Sequence, residues 1–140
     1  MPGAIVMGQM NIEMDNAVRL TIKGRPEMAR NARAFARANL SRLGCSPSAI
    51  DDGELIISEL VTNAIKAAPG QEIKISIFPL RKYVVMCVYD PGDGLPRQRQ
   101  AGSHDESGRG IPIVKQCARR YGAFEVVGGK IVWAMVGRQT

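Results

Sequence analysis

Residues 50–70, IDDGELIISELVTNAIKAAPG, constrain the fold of this 140-residue chain most strongly. Apolar side chains cover most of the circumference of a helix drawn through them, so the pattern predicts a central helix. One stripe of that helix is polar, because Glu59, Asn63 and Lys66 stand at i, i+4 and i+7. A polar stripe indicates either a binding site or the solvated side of the helix, and for an isolated pattern the solvated side is the more frequent outcome.

The chemistry of the polar stripe suits a magnesium–phosphate site. The amide oxygen of Asn63 is a hard ligand of the kind Mg²⁺ takes, together with phosphate oxygens and waters. Glu59, one turn earlier, can accept a proton or orient a water. Lys66 can meet a phosphate as a point charge.

A second string, Asp90-Pro91-Gly92-Asp93-Gly94, follows an apolar run at 84–88. Gly92 and Gly94 permit unusual backbone angles and a close approach of the chain. A carboxylate at a strand end can accept the amino group of adenine, and Asp90 would then favour ATP over GTP, because guanine has a carbonyl oxygen there. The alternative is an ordinary turn, in which Asp, Pro and Gly are common.

A third string, Gly108-Arg109-Gly110, precedes a segment that is predicted to be helical. Free backbone amides and the helix dipole attract phosphate at such a point, and the two glycines let the backbone come close to it. Arg109 adds a positive charge. A loop that merely ends in a helix start is the alternative for any single Gly-x-Gly.

The remaining pattern predicts one domain over residues 16–140, preceded by a flexible N-terminal segment at 1–15. The predicted strands are 17–22, 73–77, 83–89, 124–127 and 131–136, and the predicted helices are 26–43, 50–68 and 109–121. A turn is predicted at 79–82. This order favours a two-layer α/β sandwich (α+β), with a mixed, mostly antiparallel sheet and about three helices on one face.

Composition excludes several classes of protein. No run of about 18 apolar residues occurs, and the chain does not begin like a secretory signal, so we expect a cytoplasmic protein that spans no membrane. Three cysteines without a CxxC pair predict buried reduced thiols. The net charge of +6 could serve nucleic acid, phosphate or an acidic partner, but 5% aromatic content and the absence of an RNA-binding motif give direct nucleic-acid binding weak support.

Taken together, the three strings resemble the motifs of the GHKL superfamily of ATPases and kinases. Within it, the chain looks like the small anti-sigma factor kinases of the RsbW and SpoIIAB type and their actinobacterial relatives. Residues 59–64 match the N box, 90–94 the Asp-x-Gly-x-Gly box, and 108–110 the later glycine box beyond the ATP lid.

The resemblance implies a Bergerat, histidine-kinase-like ATPase fold that binds ATP and Mg²⁺. It implies that Asn63 binds magnesium, that Glu59 is the catalytic base or orients a water, and that Asp90 recognises adenine. The glycines of the second and third strings would shape the lid and the phosphate site.

The resemblance also implies a serine/threonine protein kinase that sequesters a sigma factor and phosphorylates an anti-anti-sigma partner of the STAS class. Arg33 falls where relatives use a first-helix arginine to contact these partners, although a solvated arginine is an equally simple interpretation. Relatives commonly pair, which predicts a homodimer. The main alternative is a non-catalytic, nucleotide-regulated interaction module of the same fold.

Overall fold

The computed structural model describes residues 16–92, 113, 114 and 116–139. Within them, five strands form one sheet in the order β1-β2-β3-β5-β4, and every neighbouring pair is antiparallel. The strands are β1 (Val18–Lys23), β2 (Glu72–Leu80), β3 (Tyr83–Asp90), β4 (Arg120–Val126) and β5 (Gly129–Gly137). The helices are α1 (Ala29–Arg42), which follows a 3-10 turn at Pro26–Met28, and α2 (Pro47–Ala67).

Local signals fix the boundary between the two helices. Gly44 adopts a φ of 82° just after α1, where a side chain would be strained, and the next N–H, of Cys45, donates to the carbonyl of Leu40 at 3.0 Å. The side chain of Ser46 then accepts from the N–H of Ala49 at 3.2 Å and caps α2, which begins at Pro47. Helix α2 thus starts earlier than Ile50, the residue from which its periodicity becomes apolar.

The main core lies between the two helices and one face of the sheet. Alternation along β3 sends Val84, Met86 and Val88 to this face, and all three are buried. Helix α2 supplies Ile56, Ile57, Leu60, Val61, Ala64 and Ile65, which are buried in the same cluster. The central position predicted for α2 is confirmed.

A smaller cluster is buried on the opposite face of the sheet. It consists of Phe78, Val85, Cys87, Trp133 and Met135. Strands β3 and β5 therefore bury apolar side chains on both faces, which explains why their sequences are almost continuously hydrophobic.

The two-layer α/β sandwich is confirmed, and the described sheet is antiparallel throughout. Two local predictions are wrong. The third helix does not extend to Tyr121, because Arg120 and Tyr121 belong to β4 and pair with Met135 and Ala134 of β5. Residues 113, 114, 116 and 117 are helical, so the helical pattern ends before this pairing begins.

The turn predicted at 79–82 is shorter than expected. Pro79 lies within β2 opposite Val84, and only Arg81, with a φ of 58°, and Lys82 form the turn. Strand β1 pairs with β2 only as far as Ile77, so the missing N–H of Pro79 faces an edge that has no strand among the described residues.

No helix in the described part of the chain has both the length and the apolar character needed to cross a membrane. The boundary predicted between residues 15 and 16 coincides with the start of the described residues and stays a prediction.

Candidate functional site

The polar stripe of α2 is half-buried. Glu59 and Asn63 are partly exposed, Lys66 is exposed, and the residues that flank them, Leu60 and Ala64, are buried. The stripe therefore lies along one margin of the helix, beside the core. Among the described residues, Glu59 makes no hydrogen bond or ion pair, so its carboxylate is available to a ligand.

The loop after β3 packs against the C-terminal end of the same stripe. A Cβ on Gly92 would lie 2.5 Å from the carbonyl oxygen of Ala67 and 2.9 Å from Oδ1 of Asp90, so no larger residue fits without backbone movement. Ala67 stands four residues after Asn63 and shares its side of α2. The structure thus brings the Asp90 loop to the C-terminal end of α2, about one helical turn beyond Asn63.

Asp90 is the buried carboxylate at this junction, with 1% of its surface exposed. Its Oδ1 accepts the N–H of Gly92 at 2.8 Å and the ammonium of Lys130 at 2.8 Å. Lys130 is 2% exposed and lies directly opposite Asp90 in the pairing of β3 with β5. A buried carboxylate and a buried ammonium therefore form an ion pair at the end of the sheet.

An open depression of about 390 Å³ adjoins this ion pair. It is bounded by the loop after β3 and by the turn between β4 and β5, and its lining is polar in character. The lining residues are Pro91, Gly92, Glu125, Val126, Gly128, Gly129 and Lys130. Lys130 is thus both a lining residue of the depression and the ion-pair partner of Asp90.

Several predicted site residues lie outside the described residues: Gly94, Gly108, Arg109 and Gly110. Their roles stay predictions. In the described residues no three His, Cys, Asp or Glu side chains lie close enough to hold a metal ion between them.

Arg33 lies on another surface, between α1 and α2. Its Nη1 donates to Oγ of Ser58 at 3.4 Å, and both residues line a groove of about 330 Å³. Leu55, which is 50% exposed, also lines this groove. Asp51 and Glu54 of α2 line the same groove. Both carboxylates accept hydrogen bonds from Arg37, and these bonds raise the pKa of its guanidinium.

The three cysteines are free thiols, and none suits a nucleophile. Burial raises the pKa of Cys87 to about 12 and also raises the pKa values of Cys45 and Cys117. Each thiol therefore stays protonated at neutral pH, whereas a reactive cysteine needs the thiolate.

The sequence prediction missed Lys130. A signal was present, because Lys130 is in phase with Val132, Ala134 and Val136, which face the helices. A lysine in phase with core residues needs a buried partner. Only the pairing of β3 with β5 identifies that partner as Asp90.

A sequence profile described as a histidine kinase-like ATPase domain matches residues 22–136. The chain therefore belongs to the histidine kinase-like ATPase domain family, and the resemblance to the GHKL superfamily is confirmed. No curated protein matches the sequence.

Two solved structures show what the fold is similar to. One contains the RsbU and RsbW domains of Rv1364c from Mycobacterium tuberculosis, with a TM-score of 0.67 and 20% identity over 86% of this chain. This chain spans 32% of that protein's length. The other is the catalytic domain of the histidine kinase ThkA, with a TM-score of 0.53 and 14% identity over 87% of this chain and 97% of that one. At sequence identities of 20% and 14%, these similarities show a shared fold.

Proposed function

We propose that the protein is an ATP-dependent serine/threonine protein kinase that also acts as an anti-sigma factor. One observation carries the proposal: the contact between Gly92 and Ala67 joins the stripe bearing Glu59 and Asn63 to the loop bearing Asp90. The carboxylate that we assign to the base thereby lies on a loop that touches the helix bearing the residues that we assign to the metal ion and the proton. Membership of the histidine kinase-like ATPase family supports ATP as the nucleotide.

The donor set fits Mg-ATP. Asn63 would hold the magnesium ion, which supplies charge neutralisation at the phosphates, and Lys66 would meet a phosphate oxygen. Glu59 would accept the proton of the acceptor hydroxyl, and Asp90 would bind the base. Arg109 and the glycines of the third string would contact the phosphates, so catalysis would rest mainly on positioning and electrostatics.

The groove around Arg33 supports a protein-docking role. It combines an arginine, an exposed leucine and two carboxylates on a surface formed by both helices. We propose that a sigma factor and an anti-anti-sigma protein of the STAS class dock on this face, in the cytoplasm. The unpaired outer edge of β1, as far as the described residues show, suits a homodimer contact.

The test is phosphotransfer by the full chain. Purified protein is incubated with γ-labelled ATP, Mg²⁺ and candidate STAS proteins, and label is expected on a serine or threonine of one partner. Asn63→Ala should remove this transfer, whereas Thr62→Ala, at the neighbouring position of α2, should leave most of it. Absence of nucleotide binding by the unmodified protein would overturn the proposal.

A non-catalytic interaction module of the same fold is the second candidate. It is favoured by a departure from the resemblance to the RsbW and SpoIIAB type, which implies a histidine shortly after the N box where this chain has Ala67. Nucleotide binding without transfer to any partner, together with sigma-factor binding that changes with ATP, would establish the module instead of the kinase.

Gly92→Ala should weaken nucleotide binding by roughly tenfold or more, equivalent to about 1.4 kcal/mol. The added Cβ meets the backbone of Ala67, so the Asp90 loop must move away from α2. The free energy of unfolding should fall by about 1–3 kcal/mol. Binding is measured by isothermal titration with ATP and Mg²⁺, and stability by urea denaturation.

Gly70→Ala is the matched control for this substitution. Its φ of 78° disfavours a side chain, at a cost of roughly 1–2 kcal/mol, but the site has open space around it. It should reduce stability to a similar degree and leave nucleotide affinity unchanged. Equal losses of affinity in both variants would show that general destabilisation, not the loop contact, is responsible.

A further inference from the structure

The sheet face opposite the helices is buried, although no described helix packs on it. Its second-face cluster consists of Phe78, Val85, Cys87, Trp133 and Met135, and all five are buried. The buried apolar residues of α1 and α2 belong to the main core on the other face, and so does Val114. An antiparallel sheet can leave one face in water, but its side chains there would then be exposed. The burial of this cluster therefore requires a cover that the described elements do not supply.

Trp133 shows most directly that the cover lies above the sheet. Gly122 stands opposite Trp133 in the pairing of β4 with β5, and a Cβ on Gly122 would lie 2.9–3.0 Å from three ring atoms of the indole. The indole therefore lies flat on β4 and turns its second face away from the sheet. That face would be open to water unless another group packed on it, yet Trp133 is only 6% exposed.

The longest runs outside the described residues are 1–15 and 93–112, and the described chain next to each of them differs. Gly92 packs against α2 and Val114 is buried in the main core, so the residues flanking 93–112 lie on the helix side of the sheet. Ala17, immediately before β1, packs instead against the second-face cluster. The chain therefore joins β1 from the face that needs a cover.

Residues 1–15 have the length and the composition for this role. Fifteen extended residues reach about 50 Å, whereas the four strand spacings from β1 to β4 amount to about 19 Å. Four of the chain's seven methionines lie in this segment, and methionine fills irregular apolar surfaces well. From residue 10 to residue 15 apolar and polar residues alternate, as in a segment with one buried side. The apolar members are Met10, Ile12 and Met14.

We propose that residues 1–15 dock in cis on the second face of the sheet, with Met10, Ile12 and Met14 packed over Trp133 and its neighbours. This docking replaces the flexible segment that the sequence alone predicts. A second copy of the chain is the competing occupant. The tethered segment has the advantage, because its attachment beside Ala17 gives it a high effective concentration at the cluster.

Quenching of Trp133 by acrylamide tests the docking in the full chain, because this is the chain's single tryptophan. Quenching should be weak in the unmodified protein. Ile12→Asp should raise the quenching constant several-fold and shift the emission to longer wavelength, because a carboxylate resists burial without a partner. Asn11→Asp adds the same charge at the neighbouring polar position and should change neither quantity. Far-UV circular dichroism confirms that both variants keep their helices and strands.

Nuclear Overhauser effects measure the contact itself. In unmodified protein with labelled methionine methyl groups, we expect effects between the indole of Trp133 and the methyl of Met10 or Met14. Each signal is assigned by its loss in Met10→Leu or Met14→Leu. General loosening of the sheet could change the quenching of Trp133, but it could not produce these effects.

Three results would each overturn the docking. They are the absence of Overhauser effects from both Met10 and Met14, equal quenching in Ile12→Asp and the unmodified protein, and equal quenching in Ile12→Asp and Asn11→Asp. Quenching that rises as the unmodified protein dissociates on dilution, followed by sedimentation, would assign the cover to a second copy and overturn it as well. Neither measurement uses nucleotide, so the result is independent of the proposed function.

Discussion

Lys130→Met is expected to lower the free energy of unfolding by about 3–5 kcal/mol, the usual cost of removing one partner of a buried ion pair. Asp90 is 1% exposed, and Lys130 is the only cation that contacts it within the described residues. The N–H of Gly92 alone cannot compensate a carboxylate that has lost its counter-charge. Urea denaturation followed by the fluorescence of Trp133, which is buried in the sheet, measures the change.

Arg37→Met is the matched control on the surface. Arg37 contacts Asp51 and Glu54 at 2.7 Å, but half of its side chain is exposed, and so is 70% of the Asp51 side chain. Exposed ion pairs contribute about 0–1 kcal/mol, so this variant should be close to the unmodified protein in stability. Each substitution removes one positive charge from an ion pair, and the difference in cost would then reflect mainly the burial of the Lys130 pair.

A double variant identifies the buried charge as the cause. Adding Asp90→Asn to Lys130→Met removes the unpaired carboxylate, while the amide oxygen can still accept the N–H of Gly92. Most of the lost stability should return, since replacing both members of a buried pair costs less than replacing one. If the double variant is as unstable as Lys130→Met, the loss comes from packing of the lysine stem and not from the charge.

The predictable parts of the fold are those governed by local pattern. Helix α2 could be predicted because its apolar residues recur at helical spacing up to Pro69-Gly70. Strands β2 and β3 could be predicted from the alternation in one and the apolar run in the other. At residues 118–121 the same method was wrong. Ala118-Arg119-Arg120-Tyr121 has no decisive period, and its pairing with β5 across the sheet, a tertiary interaction, determines that Arg120 and Tyr121 form a strand.

In the candidate site, too, local pattern predicts some residues, whereas others can be placed only with the tertiary structure. Helical spacing alone places Glu59 and Asn63 on one side of α2, and the end of an apolar run places Asp90 at a strand terminus. The contact of Gly92 with Ala67 and the pairing of Lys130 with Asp90 join residues that are distant in sequence. They depend on the strand order, in which β5 and not β4 neighbours β3, and no local pattern contains that order.

Glu59→Gln is expected to lower the rate of phosphotransfer by roughly 10²- to 10⁴-fold, the range for loss of a general base, while ATP affinity changes little. The amide keeps the size of the side chain but cannot take a proton. Among the described residues Glu59 forms no hydrogen bond or ion pair, so the fold should not depend on its charge. Single-turnover transfer of labelled phosphate to a STAS partner gives the rate, and titration with ATP gives the affinity.

Glu54→Gln controls for loss of a negative charge on the same helix. Glu54 lies about 140° around α2 from Glu59, as follows from 3.6 residues per turn, and it pairs with Arg37 instead of facing the Asp90 loop. Its substitution removes only a partly exposed ion pair. The transfer rate should therefore stay within a few fold of the rate of the unmodified protein. Equal rates in Glu59→Gln and the unmodified protein would exclude a base role for Glu59. If Asn63→Ala still removed the transfer, catalysis would then rest on metal binding and positioning of the phosphate.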